Sequence, residues 1–314
     1  MILIKTKSNI FRIFDRFLIN SLAKRDLTNT NLQGYSLIMT QKTSNFPEYA
    51  KPPVIEVVIG VQFNTIEAFT AVHPGLYWQR VRNSYPKVNV QPPLSPVLEL
   101  FGDEKPTVEA KLSSIPPLPR CWFLDDSQNR LVQIQPDRFL HNWKKVTGQE
   151  EYPRYETIRE DFKKLWTDFS KFVEDEKLGQ IKTNQWELTY VNYIHQNSGW
   201  TSMNDLPNLF PSWSGKSSEG YLPVPENITF NVTYAFPEKL GRLHISLEPA
   251  VKMPEGTSLL RLTLTARGRL ESSDTESILN SLDLGHEWIV MGFTDFTTSE
   301  AHKMWKRKEF AKNA

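Results

Sequence analysis

Apolar and polar residues alternate from Ser258 to Arg267. Leu260, Leu262, Leu264 and Ala266 fall on one parity, and Arg261, Thr263, Thr265 and Arg267 on the other. A period of two marks a strand with one dry face and one polar face. The alternation recurs in Ile228–Tyr234 and in Arg242–Glu248, so the last third of the chain predicts a three-strand meander. Val54–Phe63 is β-branched and almost continuously apolar, as a central strand should be. Its polar exceptions, Glu56 and Gln62, share a parity. Arg120–Leu124 and Arg130–Gln135 flank the polar run Asp125–Asn129 and predict a hairpin. Thr183–Ile194 predicts a further strand.

Helical spacing appears in three places. Phe69–Tyr85 carries Leu76, Tyr77, Val81 and Tyr85 on one side, with Pro74 suited to a first turn and Pro86 ending the run. Pro153–Glu176 is the clearest case: Ile158, Phe162, Leu165, Trp166, Phe169, Phe172 and Val173 make one apolar stripe, opposite Arg159, Glu160, Lys163, Asp168 and Lys171. After Asp274, Leu279, Leu282, Trp288, Ile289, Phe293 and Phe296 line a last helical stretch, and Thr297-Thr298 reads as a cap before a final turn.

Between them, residues 88–119 are proline-dense and read as loop, with one short strand near Val97–Phe101. Residues 196–225 form a long Gly/Ser/Pro/Asn loop carrying Trp200, Phe210, Trp213 and Tyr221. The order is β-α-ββ-α-β-loop-βββ-α. Helices and strands do not alternate strictly, so the expected class is α+β, a mostly antiparallel sheet backed by helices. Residues 1–44 read as an N-terminal extension and 45–310 as one domain, with a split into two lobes near 196–225 as the alternative.

The 314 residues are 39% apolar and 23% charged, ordinary for a globular protein, and 12% aromatic, which favours a well-filled core. A formal net charge of +1 argues against binding dominated by phosphate contacts. The single cysteine, Cys121, forms no internal disulfide and reads as a small buried residue in a reducing, cytoplasmic compartment. No apolar run is long enough to span a membrane. Lys5, Lys7, Arg12, Arg16, Lys24 and Arg25 make the first 38 residues basic; the simplest expectation is translation from Met39, with an amphipathic surface helix as the alternative.

No phosphate-binding glycine loop, dinucleotide fingerprint, zinc-protease, nucleophile-elbow, kinase or deaminase motif occurs. The sequence therefore predicts no catalytic residue, no metal and no cofactor. Asp103, Glu109 and Lys111 carry the E-x-K pattern of metal-dependent nucleases, but inside a proline-rich stretch, where chance explains it better. The six histidines, His73, His141, His195, His244, His286 and His302, lack the i, i+4 partner of a helical metal pair. The sharper candidate is one polar sheet face formed by Glu56, Gln62, Gln133, Gln135, Arg138, Glu187, Thr189, His244, Arg261 and Arg267. Such a face suits a polar ligand, a peptide or a nucleic-acid strand. The bland alternative is a solvated outer face. An enzymatic alternative is a hydrolase or nuclease using Glu56, Glu187 and His244.

Several stretches also carry a resemblance. They are Lys51-Pro-Pro-Val-Ile-Glu-Val-Val with Gly60-Val-Gln-Phe63, Gln91-Pro-Pro-Leu-Ser-Pro-Val97, Leu131-Val-Gln-Ile-Gln-Pro-Asp-Arg-Phe139 with Asn142-Trp-Lys-Lys145, Tyr152-Pro-Arg-Tyr155, Thr189-Tyr-Val-Asn-Tyr-Ile194, and Glu287-Trp-Ile-Val-Met-Gly-Phe-Thr-Asp-Phe-Thr-Thr298 with His302 and Trp305. In order and spacing they resemble the "sporadically distributed" family of prokaryotic proteins of uncharacterised function, over residues 45–307. The resemblance supports a start near Met39 and supplies no activity, cofactor or catalytic residue to carry over. Patchy occurrence implies mobile accessory genes, as defence and toxin–antitoxin components are. The reading that follows is an interaction protein with a protein or nucleic-acid partner. His286 departs from the pattern, which has Arg there; an ion pair made by that Arg would depend on pH in this chain.

Overall fold

Nine strands form one antiparallel sheet in a computed structural model that describes residues 46–102, 117–214 and 220–308. The strands are β1 (Val54–Phe63), β2 (Lys87–Gln91), β3 (Arg120–Leu124), β4 (Arg130–Gln135), β5 (Arg138–Lys144), β6 (Thr183–His195), β7 (Phe230–Ala235), β8 (Arg242–Lys252) and β9 (Thr257–Arg269). Their order across the sheet is β2-β3-β4-β5-β1-β6-β9-β8-β7. The described helices are α1 (His73–Val81), α2 (Tyr155–Asp175), α3 (Thr275–Phe296) and α4 (Ser299–Met304), with a short 3₁₀ turn at Met203–Asn208. The fold is α+β. Among the described residues no helix is long and apolar enough to cross a membrane.

One sheet face is dry. Val57, Ile59, Val61 and Phe63 of β1, Phe139 of β5, Leu188 of β6, and Leu260, Leu262 and Leu264 of β9 are all buried. The stripe of α2 (Ile158, Phe162, Trp166, Phe169, Phe172) and that of α3 (Ile278, Leu282, Ile289, Phe293) cover them. α3 approaches so closely that a Cβ on Gly285 would stand 2.5 Å from the Trp186 ring. Asp274 caps α3 by accepting from the Ser277 N–H at 2.8 Å, and the Thr298 side chain caps α4.

Several boundaries differ from the sequence reading. The first helix spans only His73–Val81, because residues 69–72 and 82–84 form turns. Lys87–Gln91, which the prolines around it made look like loop, pairs with β3. Arg138–Lys144 folds back on β4 as a second hairpin. Conversely, Val97–Phe101 joins no ladder. β6, before residues 196–225, and β9, after them, are neighbours along their length. Trp200 and Phe210, between them in the chain, are buried in the common core, whereas Tyr221 is fully exposed. His286 makes no ion pair. It stacks on Tyr155 at 4.0 Å, and burial holds its pKa at about 4. Cys121 is buried and burial raises its pKa. The residues 1–38, and Asp103, Glu109 and Lys111, lie outside the described residues.

Candidate functional site

The other sheet face is polar. Strand register places Glu56 and Gln62 of β1, Gln133 and Gln135 of β4, Arg138 of β5, Glu187 and Thr189 of β6, His244 of β8, and Arg261 and Arg267 of β9 on it together. Their contacts divide them into two rows and an outlying pair.

The first row holds the chain itself. Residues 92–102 leave β2 and run across the strands as an extended strap without regular structure. Pro92, Pro93 and Pro96 fix φ, hold the preceding residues extended and remove the N–H groups a ladder needs. Side chains on the sheet satisfy the strap's main chain instead. Gln135 grips Leu94 with both ends of its amide, Leu94 N–H to Oε1 at 3.0 Å and Nε2–H to the Leu94 carbonyl at 2.9 Å. Arg138 donates to the Ser95 carbonyl at 3.1 Å and to Gln62 Oε1. Gln62 accepts from Val97 N–H at 3.1 Å and donates to its carbonyl at 2.8 Å. Gln185 accepts from Glu99 N–H at 2.8 Å and donates to the Val97 carbonyl. Arg269 donates to the Glu99 carbonyl at 2.9 Å and Arg242 to that of Leu100 at 2.7 Å.

From β4 to β8 the strap therefore crosses five inter-strand steps, about 24 Å at ~4.8 Å each. The six residue steps from Leu94 to Leu100 span at most about 20–22 Å, so the strap is extended and the long Gln135 and Arg242 side chains cover the remainder.

The strap ends in a charge cluster. The Glu99 carboxylate, only 4% exposed, accepts from Arg242 at 2.6 Å, His244 Nε2 at 2.6 Å and Arg267 Nε at 3.2 Å. Arg267 also meets Glu187 at 3.6 Å. Burial pushes Glu99 upward, but the His244 and Arg242 hydrogen bonds and the Arg267 charge outweigh it and bring its pKa down to about 2.

The second row lies beside the strap. Arg120 donates to Gln133 at 2.7 Å, Gln133 to Asn142 at 2.6 Å, and Asn142 to Glu56 at 2.7 Å, a relay across β3, β4, β5 and β1. Trp122 stands between two cations: Arg120 lies 5.3 Å and Lys144 5.6 Å from its ring. Three buried donors on this face have no acceptor: Arg120 Nε, Trp122 Nε1 and Arg138 Nε. Burial lowers the pKa of both arginines, and for Arg120 the like charge of Arg138 adds to it. Towards the far end, Thr189 and Thr265 share a hydrogen bond at 2.8 Å, and the exposed Arg261 pairs with Glu248 at 2.8 Å.

The register separates Glu56, Glu187 and His244. Glu56 pairs with Val191 and Glu187 with Gly60, which puts the two carboxylates about 14 Å apart along the strands. His244 is committed to Glu99. Among the described residues no three His, Cys, Asp or Glu side chains could hold a metal ion. Glu99, Gln185, Asn142 and Arg269 belong to the face but escaped the sequence reading. Gln185 and Arg269 carry the same parity as Glu187 and Arg267 and were legible that way. Glu99 gives no local signal, since its partners are more than 140 residues away. Compared with known proteins, the chain matches no family model, no curated protein and no solved structure.

Proposed function

We propose that the protein is a non-catalytic binding module whose polar sheet face receives an extended, acceptor-rich polypeptide segment alongside its own strap. The observation that carries this is the set of unpartnered buried donors, Arg120 Nε, Trp122 Nε1 and Arg138 Nε, next to glutamines that already hold a main chain. A buried donor without an acceptor costs about 1–3 kcal/mol, so a ligand supplying oxygens there recovers that amount. The strap favours a peptide over a nucleic acid, because the face reads carbonyls and N–H groups in pairs. The single cysteine favours a cytoplasmic setting. A role in a defence or toxin–antitoxin system rests on the resemblance alone and is tested by co-purification with the products of neighbouring genes.

Fluorescence anisotropy with labelled Asp/Gly and Ser/Gly peptides and with a single-stranded oligonucleotide of equal length tests the reading. Binding of the acidic peptide is expected to weaken about tenfold in Trp122→Phe, which keeps the ring and removes one donor. In the wild type the Trp122 indole N–H resonance should shift on addition. Tighter binding of the oligonucleotide moves the partner to nucleic acid; no binding by any probe overturns the proposal.

A further inference from the structure

A cavity lies on the opposite side of the sheet, at the end of the β3–β4 hairpin. It measures about 330 Å³, within the range of small-ligand sites. Four carboxylates line it, Asp125, Glu150, Glu151 and Asp161, against one guanidinium, Arg130. Two of them are already engaged: Asp125 accepts from Ser127 at 2.8 Å and from Arg130 at 3.2 Å, and Glu150 from the N–H groups of Val146, Thr147 and Gly148. Asp161 is held only loosely, by Arg130 at 3.6 Å.

An independent observation points the same way. His141 forms part of this wall and is completely buried, yet its Nε2 has no hydrogen-bond partner. Its Nδ1 sits 3.2 Å from the Leu131 carbonyl, an oxygen that can only accept, so the ring proton belongs on Nδ1. Burial holds the ring neutral, with a pKa of about 4. Nε2 is therefore a lone pair without a donor. Trp143, also in the wall, offers an aromatic face suited to a cation. The one buried polar atom of this wall that lacks a partner, His141 Nε2, is an acceptor. A bare metal ion is disfavoured because, among the described residues, no three ligating side chains converge.

We infer that this cavity binds an organic cation bearing N–H donors, an ammonium or guanidinium group, which donates to His141 Nε2 and pairs with Asp161 while displacing Arg130 outward. The group belongs either to a small amine or to a Lys or Arg side chain of a partner. Calorimetric titration of the full-length protein with agmatine and with the tripeptide amide Gly-Arg-Gly separates the two sources, and agmatine binding alone identifies a small amine. Binding should be saturable, should shift the His141 Nε2 resonance, and should weaken about tenfold in Asp161→Asn, as loss of one charge-assisted hydrogen bond implies. Glu151→Gln, at an exposed position, provides a second variant should Asp161→Asn unfold, and should weaken binding several-fold. The inference is overturned if neither cation binds, if 1-butanol binds as well as butylamine, or if the His141 resonance stays where it was.

Discussion

The two faces of this sheet bury themselves by different physics. The helix-covered face is closed by shape and area: large rings from α2 and α3 fill the space over aliphatic strands, and no single contact has a preferred direction. The strap-covered face is closed by direction. Glutamine amides, arginines and one glutamate meet specific main-chain atoms, and each bond works only at its own angle and distance. The dry face should supply most of the stability, and the polar face should decide which chain lies on it.

Trp166→Ala should have the largest effect, about 3–5 kcal/mol in urea unfolding, because it leaves a hole under α2 in a fully packed layer. The strap should stay in place in that variant. Glu99→Gln should cost about 3 kcal/mol, since it strips the carboxylate from two arginines and a histidine that then face one another. A cost below ~1 kcal/mol would mean that the polar face contributes little to stability.

Acid should separate the faces further. His141, on the dry side, has a folded pKa of about 4 against about 6.5 unfolded. The unfolded chain takes up that proton first, so stability falls as pH drops from about 6.5 to about 4. Glu99 is depressed by folding to about 2, and its contribution is complete above about 4.5 and lost as pH falls through about 2. His141 and Glu99 are each worth on the order of 3 kcal/mol, and the buried His286, also at about 4, adds to the upper window. Glu99→Gln should remove the Glu99 share of the lower window and leave the upper one, measured by urea midpoints against pH.

Gln62→Ala should cost about 1–2 kcal/mol and act locally. Hydrogen exchange at the Val97 and Glu99 amides should speed up, while the amides of β1 and β6 keep their protection. The smallest effect belongs to Arg261→Ala: both partners of its pair with Glu248 are close to half exposed, so less than about 0.5 kcal/mol is expected.

Much of the layered plan could be read from residue periodicity. The strict alternation in β8 and β9 and the aromatic stripe of α2 each depend on neighbours a few positions away, and those signals are local. The polar face was legible for the same reason, because Gln133, Gln135, Glu187, His244 and Arg267 declare their side of the sheet through parity. What parity could not supply was the strap. Its prolines say only that residues 92–96 form no helix, and the run Val97–Phe101, which reads as a short strand, joins no ladder. That they lie across β4, β5, β1, β6, β9 and β8 depends on partners such as Arg242 and Arg269, far along the chain. β2 was hidden likewise: Val88 and Val90 alternate with Lys87, Asn89 and Gln91, but so short a run among prolines does not stand out.

The direction in which the strap runs has a mechanical consequence. A pulling force that peels an antiparallel sheet from its edge breaks one ladder after another, so the load at any instant falls on a single row of bonds. A tie laid at right angles to the ladders shares that load among six strands. With its ends fixed at Gln135 and at Arg242, the sheet should resist stretching across its width like a braced panel, until Glu99 comes away and the remaining fastenings follow from that end.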